Sequence, residues 1–164
     1  MPRTPPDPDQ LTPAAARSLV LRWIGARELT SSQIRARLRR RQFPDSSITP
    51  VLEALSEQGL VNDRRAAEAN ARHGAVIRRH GRARVLREVE QLGVDRDTAR
   101  EAVASAFGEV DEEQLLAAAL ARKLRGAPLP TDRKAVQRLF GWLMREGFDA
   151  GQIHRALRAW PDAE

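Results

Sequence analysis

Apolar residues recur along this chain in a helical rhythm that is written three times. Phe43, Val94 and Phe148 each close a short helical stretch. Five residues before them stand Leu38, Val89 and Leu143, and nine before stand Ile34, Val85 and Leu139. Five residues after them come Ile48, Ala99 and Ile153, and nine after come Leu52, Val103 and Leu157. Residues four apart share a helix face, so each block predicts two helices meeting at a corner with their apolar faces turned inward. The anchors lie 51 and 54 residues apart. A period of that size predicts a tandem array whose units stack into a continuous core and use the stacked surface for binding.

Punctuation between the apolar runs completes the units. Thr30 with Gln33, Asp111 with Gln114 and Asp149 with Gln152 offer a capping side chain and a reciprocal residue three later. Asp45–Ser46–Ser47, Asp95 with Asp97, and Thr131–Asp132 are further cap clusters. Gly59, Gly81, Gly93, Gly108, Gly126 and Gly147 fall where helices are expected to end. The predicted helices are 14–27, 32–41 and 47–58, then 63–79, 82–92 and 97–107, then 111–125, 132–145 and 150–160. No stretch alternates like a strand. The expected fold is all-α: a tandem array of three three-helix, helix-turn-helix-like repeats, elongated and curved, at 14–62, 63–110 and 111–164. Residues 1–13 hold five prolines and no apolar period, which predicts a disordered tail.

Composition narrows the chemistry. With four Phe, three Trp and no Tyr among 164 residues, the core has to be built from Leu, Val, Ile and Ala. Zero cysteines exclude disulfides, thiolate zinc sites and thiol catalysis. No phosphate-binding glycine loop, dinucleotide turn or nucleophile elbow is present. His73, His80 and His154 lack metal-ligand spacing. No enzyme activity, cofactor or metal is expected. No apolar run approaches the roughly 20 residues that span a bilayer, so a soluble, cytoplasmic monomer without a membrane partner is expected. Trp23, Trp142 and Trp160 read as core or cap residues, and Ala66, Ala67, Ala71 and Ala75 as a seam for close helix packing.

The formal charge of +6 is carried by 26 Arg against two Lys. By segment it is −1 for 1–13, +4 for 14–62, +2 for 63–110 and +1 for 111–164. Five arginines lie between positions 35 and 41 with no acid among them: Arg35 and Arg39 on one flank of a helix, Arg37, Arg40 and Arg41 on the other. The stretch 69–87 is also free of acids and carries Arg72, Arg78, Arg79, Arg82, Arg84 and Arg87. Arg65, Arg72 and Arg79, seven apart, predict a stripe along one helix; Arg84, Arg87 and Gln91 predict another. Such stripes either form solvated helix faces or meet phosphates or carboxylates of a partner. The candidate partner-binding residues are Arg35, Arg39, Arg40, Arg72, Arg78, Arg79, Arg82, Arg84 and Arg87.

Several segments, in order, resemble the RecX family of regulatory proteins, bacterial modulators of the recombinase RecA. They are ArgGluLeuThr at 27–30 leading into Ile34 and Leu38, GlyLeuValAsnAsp at 59–63, HisGlyArgAlaArg at 80–84, GluGlnLeuGlyVal at 90–94 and LeuMetArgGluGlyPhe at 143–148. The resemblance runs over nearly all of 14–160. It implies three three-helix repeats that bind along the groove of the RecA filament, suppress its DNA-dependent ATPase and strand exchange, and limit its extension. Roles in recombination, DNA repair and the SOS response follow from the same resemblance. Where the family commonly has aromatic residues after the glycine and just past the aspartate of the second segment, this chain has Leu60 and Ala66, which bears on packing between repeats one and two. The competing expectation is a helix-turn-helix-like module acting on DNA directly. Tight, sequence-selective binding that survives salt would mark that module, whereas a filament regulator would bind naked DNA weakly and without sequence preference.

Overall fold

The computed structural model describes residues 11–159, and among them every regular element is helical. The helices are α1 (Pro13–Ile24), α2 (Ser31–Arg40), α3 (Asp45–Glu57), α4 (Asp63–Arg72), α5 (Arg82–Glu90), α6 (Arg96–Phe107), α7 (Glu112–Leu124), α8 (Arg133–Glu146) and α9 (Ala150–Ala159). They group in threes. Within the groups the sequence-predicted boundaries hold to within a few residues and the expected side-chain caps form, with two exceptions.

The first exception is the helix expected over 63–79. It stops at Arg72 and continues as a single π-helical turn, His73–Ile77, after which Arg79 adopts the left-handed conformation at φ 57°. The second is the start of α3. Its cap position is Pro44, which has no side-chain acceptor, and the Asp45 carboxylate inside the first turn is held by Arg39. Elsewhere the capping side chains accept as expected, but of the three reciprocal pairs only Thr30 with Gln33 closes among the described residues. Thr30 and Gln33 form a reciprocal box, Asp111 accepts from the Glu113 and Gln114 amides, and Asp132 and Asp149 each accept from the amide three residues on. Of the expected tail 1–13, residues 1–10 lie outside the described residues, as does Trp160. Thr12 caps α1, and the Leu11 carbonyl accepts the Ser47 hydroxyl, so 11–13 belong to the first repeat.

The apolar positions that recur in the sequence are the core. All are buried except Val94 and Leu157, which are half-buried. They fall into two clusters. One is confined to the first repeat, around Val20, Ile34, Leu38, Ile48 and Leu55. The other runs without a break through the second and third, from Ala67 and Val85 to Leu120, Leu143 and Ile153. Fully burying one such Leu or Ile contributes about 1.5–3 kcal/mol. The alanine seam is also present: Ala66, Ala67, Ala71 and Ala75 are wholly buried, and α6 answers with Ala99 and Ala102 where it packs on α4. Leu60, by contrast, is exposed. Trp23 and Trp142 are half-buried rather than core residues, each with a cationic side chain over its ring.

Among the described residues, every hydrogen bond and ion pair between repeats joins neighbours. Thr30 donates its hydroxyl to the Leu92 carbonyl, Asp63 accepts the Ser31 amide, and Arg65 pairs with Glu28, tying the first repeat to the second. The second meets the third through its backbone: the Gly81 amide donates to the Glu146 carbonyl at 2.8 Å and the Ala83 amide to the Gly147 carbonyl at 3.1 Å. Gly81 therefore starts α5, at φ −70°, instead of ending a helix as expected. Gly147 does end α8, in the left-handed conformation at φ 96°.

Candidate partner-binding surface

The nine candidate arginines sort by what their guanidinium groups already hold. In the first repeat, Arg39 makes two hydrogen bonds to Asp45, at 3.0 and 2.8 Å, and Arg35 lies 3.7 Å from the same carboxylate while donating to the Thr49 hydroxyl. Hydrogen bonding to Arg39 draws the Asp45 carboxyl below its usual range and outweighs the desolvation that opposes it. Asp45 lies just outside the acid-free run, where a linear count does not see it. Arg40 is exposed and has no acidic partner among the described residues. Arg37 and Arg41 sit over the Trp23 ring at 5.7 and 5.5 Å. The Arg37 guanidinium is shifted below its ordinary pKa by burial, then by the like charges of Arg27 and Arg40. The outer flank of α2 is therefore the un-neutralised one.

In the second repeat Arg82 and Arg84 are committed to carboxylates of the third, and Glu88 gathers further cations within the repeat. Glu88, one turn beyond Arg84, receives Arg84 at 3.1 Å, Arg78 at 3.2 Å and His80 at 3.0 Å. Burial pushes the Glu88 carboxyl up, but the hydrogen bonds from Arg84 and His80 and the charges of His80 and Arg78 prevail, so it is held below its ordinary value. Arg84 also reaches across to Glu146 of α8, and Arg82 binds Glu112 of α7 while lying over the Phe107 ring. Arg87 donates weakly to the Arg145 carbonyl at 3.5 Å. Arg72 and Arg79 are exposed with no acidic partner among the described residues.

The expected stripe Arg65–Arg72–Arg79 is not formed. Arg65 is drawn to Glu28 and to the carbonyls of Gly59 and Leu60, and the π turn with left-handed Arg79 takes Arg79 off the α4 face. The carboxylates that neutralise the basic run come from beyond it, and Glu146 lies 62 residues from Arg84. One signal was present in the sequence: Arg84 and Glu88 have the four-residue spacing of a helical ion pair. Four of the nine candidates, Arg40, Arg72, Arg79 and Arg87, remain without a carboxylate among the described residues. The other five are occupied within the fold.

Three three-helix units in tandem define an all-helical repeat protein. The chain matches the RecX first three-helix domain over residues 16–55 and the RecX third three-helix domain over 111–157. It belongs to the RecX family of regulatory proteins. A "Regulatory protein RecX" of Thermobifida fusca is 38% identical over 153 residues, covering 92% of this chain and 81% of that one. That of Halorhodospira halophila is 37% identical and covers 88% of each. A crystal structure of a regulatory protein RecX superposes with a TM-score of 0.72 at 23% identity, covering 96% of this chain and 80% of that one. RecX from Lactobacillus salivarius gives 0.68 at 18% identity, covering 89% and 96%. At those identities the two crystal structures speak for the fold. No helix among the described residues is long and apolar enough to cross a membrane.

Proposed function

We propose that the protein binds the RecA filament and restrains its DNA-dependent ATPase and strand exchange, limiting filament extension during recombination and repair. The observation that carries this reading is family membership along nearly the whole chain. The four candidate arginines left without a carboxylate among the described residues, one on the first repeat and three on the second, are in keeping with it. Arg40, Arg72, Arg79 and Arg87 are the proposed contacts with carboxylates of the filament or with the phosphates of its DNA. Arg35, Arg39, Arg78, Arg82 and Arg84 act within the fold, setting the shape that presents them.

Direct operator binding is disfavoured at the first of the helices that would enter a major groove. The second helix of the first corner, α3, exposes Glu53 and Glu57 without a cationic partner among the described residues, whereas Glu101 of α6 is held by Arg64. The carboxylates on α3 repel phosphate. The test is the ATPase rate of a matched recombinase on single-stranded DNA, with and without the protein, at two salt concentrations. Inhibition together with weak, sequence-indifferent affinity for naked DNA is expected. A recombinase left untouched, or tight sequence-selective binding to duplex DNA, would refute the reading.

A further inference from the structure

The π turn between α4 and α5 carries two adjacent β-branched residues that the fold does not use. Ile77 is 67% exposed, the highest value among the exposed large apolar residues, and Val76 beside it is 51% exposed. The other face of the same turn is tightly held. Gly74 and Ala75 are buried, and a Cβ added at Gly74 would lie 3.0 Å from a Val85 methyl. The Arg78 amide closes on the His73 carbonyl and the His80 amide on the Gly74 carbonyl, both at 3.0 Å. Arg78 and His80 are anchored on Glu88. The turn is thus a rigid mount that points an apolar pair outward.

Three features argue that this is not incidental. A π turn has poorer backbone geometry than a continued α-helix and recurs at functional positions. Arg79 closes it in the left-handed conformation, which is unfavourable for a residue with a side chain. The repeat register also shows that the core needs no apolar side chain here. The positions equivalent to Val76 and Ile77 are Gly25 and Ala26 in the first repeat and Pro130 and Thr131 in the third.

Resting on the filament-binding reading above, we propose that the 73–79 turn is the apolar anchor of the partner interface. Val76 and Ile77 enter an apolar recess on the recombinase protein, and carboxylates at its rim meet Arg72 and Arg79. Charge complementarity sets the occupant, because the two arginines flanking the pair are exposed and lack acidic partners among the described residues. Val and Ile have few rotamers to lose, which keeps the ordering cost of such an anchor low. A phosphodiester backbone offers no recess that would reward an exposed isoleucine, so the partner is protein rather than nucleic acid.

The experiment is co-sedimentation of the full chain with recombinase filaments on single-stranded DNA at two salt concentrations. Wild type is compared with Val76→Ser/Ile77→Ser, with Ile77→Ala as a milder second variant, and with Arg72→Gln/Arg79→Gln. The serine double variant is expected to keep its helical circular dichroism and to lose at least tenfold in filament affinity, with unchanged salt dependence. Ile77→Ala is expected to fall between it and wild type. The arginine variant is expected to lose affinity together with salt dependence. Serine-variant binding equal to wild type would overturn the anchor and leave the proposed function standing. Wild type that fails to sediment with filaments would overturn both. A parallel loss of affinity for naked single-stranded DNA, or a wild-type dimer dispersed by the serine variant, would assign the turn to nucleic acid or to a second copy and so overturn the proposal.

Discussion

Gly81→Ala isolates the contact that joins the second and third repeats. Gly81 has φ −70°, a conformation that alanine adopts freely, so the substitution introduces no backbone strain. Its new Cβ would nevertheless lie well under 3.0 Å from the carbonyl carbon and oxygen of Gly147 and 2.6 Å from the Phe148 nitrogen. Those atoms are backbone and cannot rotate away. Overpacking of this kind costs about 1–3 kcal/mol. Separating the segments also weakens two backbone hydrogen bonds, from Gly81 to Glu146 and from Ala83 to Gly147, worth about 1 kcal/mol each. Set against a gain of about 0.5 kcal/mol from a stiffer unfolded chain, the net loss is about 2–4 kcal/mol. At roughly 2–4 °C per kcal/mol for a chain of this length, the Tm falls by about 5–15 °C. Gly126→Ala is the matched control, because Gly126 has φ 84° with open space around it, so only strain of about 1–2 kcal/mol is expected. Urea and thermal unfolding followed by circular dichroism measure both. Gly81→Ala within about 0.5 kcal/mol of wild type, or a Gly126→Ala loss equal to it, would refute the close-approach argument.

Three further outcomes are expected. Leu38→Asp, Val89→Asp and Leu143→Asp each lose several kcal/mol in urea unfolding, since each puts an unpaired charge at an equivalent buried position; an unchanged midpoint for any one would disprove its register. Because the Glu88 carboxyl is held below its ordinary value, its contribution to stability is complete above the unfolded value of about 4.3 and is lost as pH falls through the lower folded value. Glu88→Gln should therefore flatten the acid side of the Tm–pH profile, and a variant with the wild-type acid slope would contradict this. Reversing Arg40 and Arg72 to Glu should leave the Tm unchanged and weaken recombinase inhibition at least tenfold, about 1.4 kcal/mol. Arg84→Glu, set against Glu88 and Glu146, should instead lower stability by about 2 kcal/mol; a stable Arg84→Glu would show that its ion pairs are dispensable.

The sequence made the core legible because repeats must bury the same face each time. The fifteen aligned apolar positions are buried or half-buried, and Thr30 with Gln33 could be recognised as a cap from spacing alone. What stayed hidden needed distances along the chain that periodicity does not report. HisGlyAlaValIle reads as continuing helix in any window, yet it forms a π turn whose Gly74 packs close to Val85 of α5. That local change breaks the Arg65–Arg72–Arg79 stripe, which rested on an unbroken seven-residue count.

Charge was harder to read than packing for the same reason. An acid-free run of residues is a statement about sequence, whereas neutralisation occurs in space. Asp45 is four residues past Arg41, Glu88 is one residue past Arg87, and Glu112 and Glu146 come from the next repeat. Arg78, held by Glu88, and Arg82 and Arg84, which reach carboxylates of the third repeat, turn inward. Arg72 and Arg79, at the two ends of the π turn, do not. Within one basic segment the fold has therefore divided the arginines between pairing within the fold and facing outward. A charge reversal tests partner binding only when it is made on the second group.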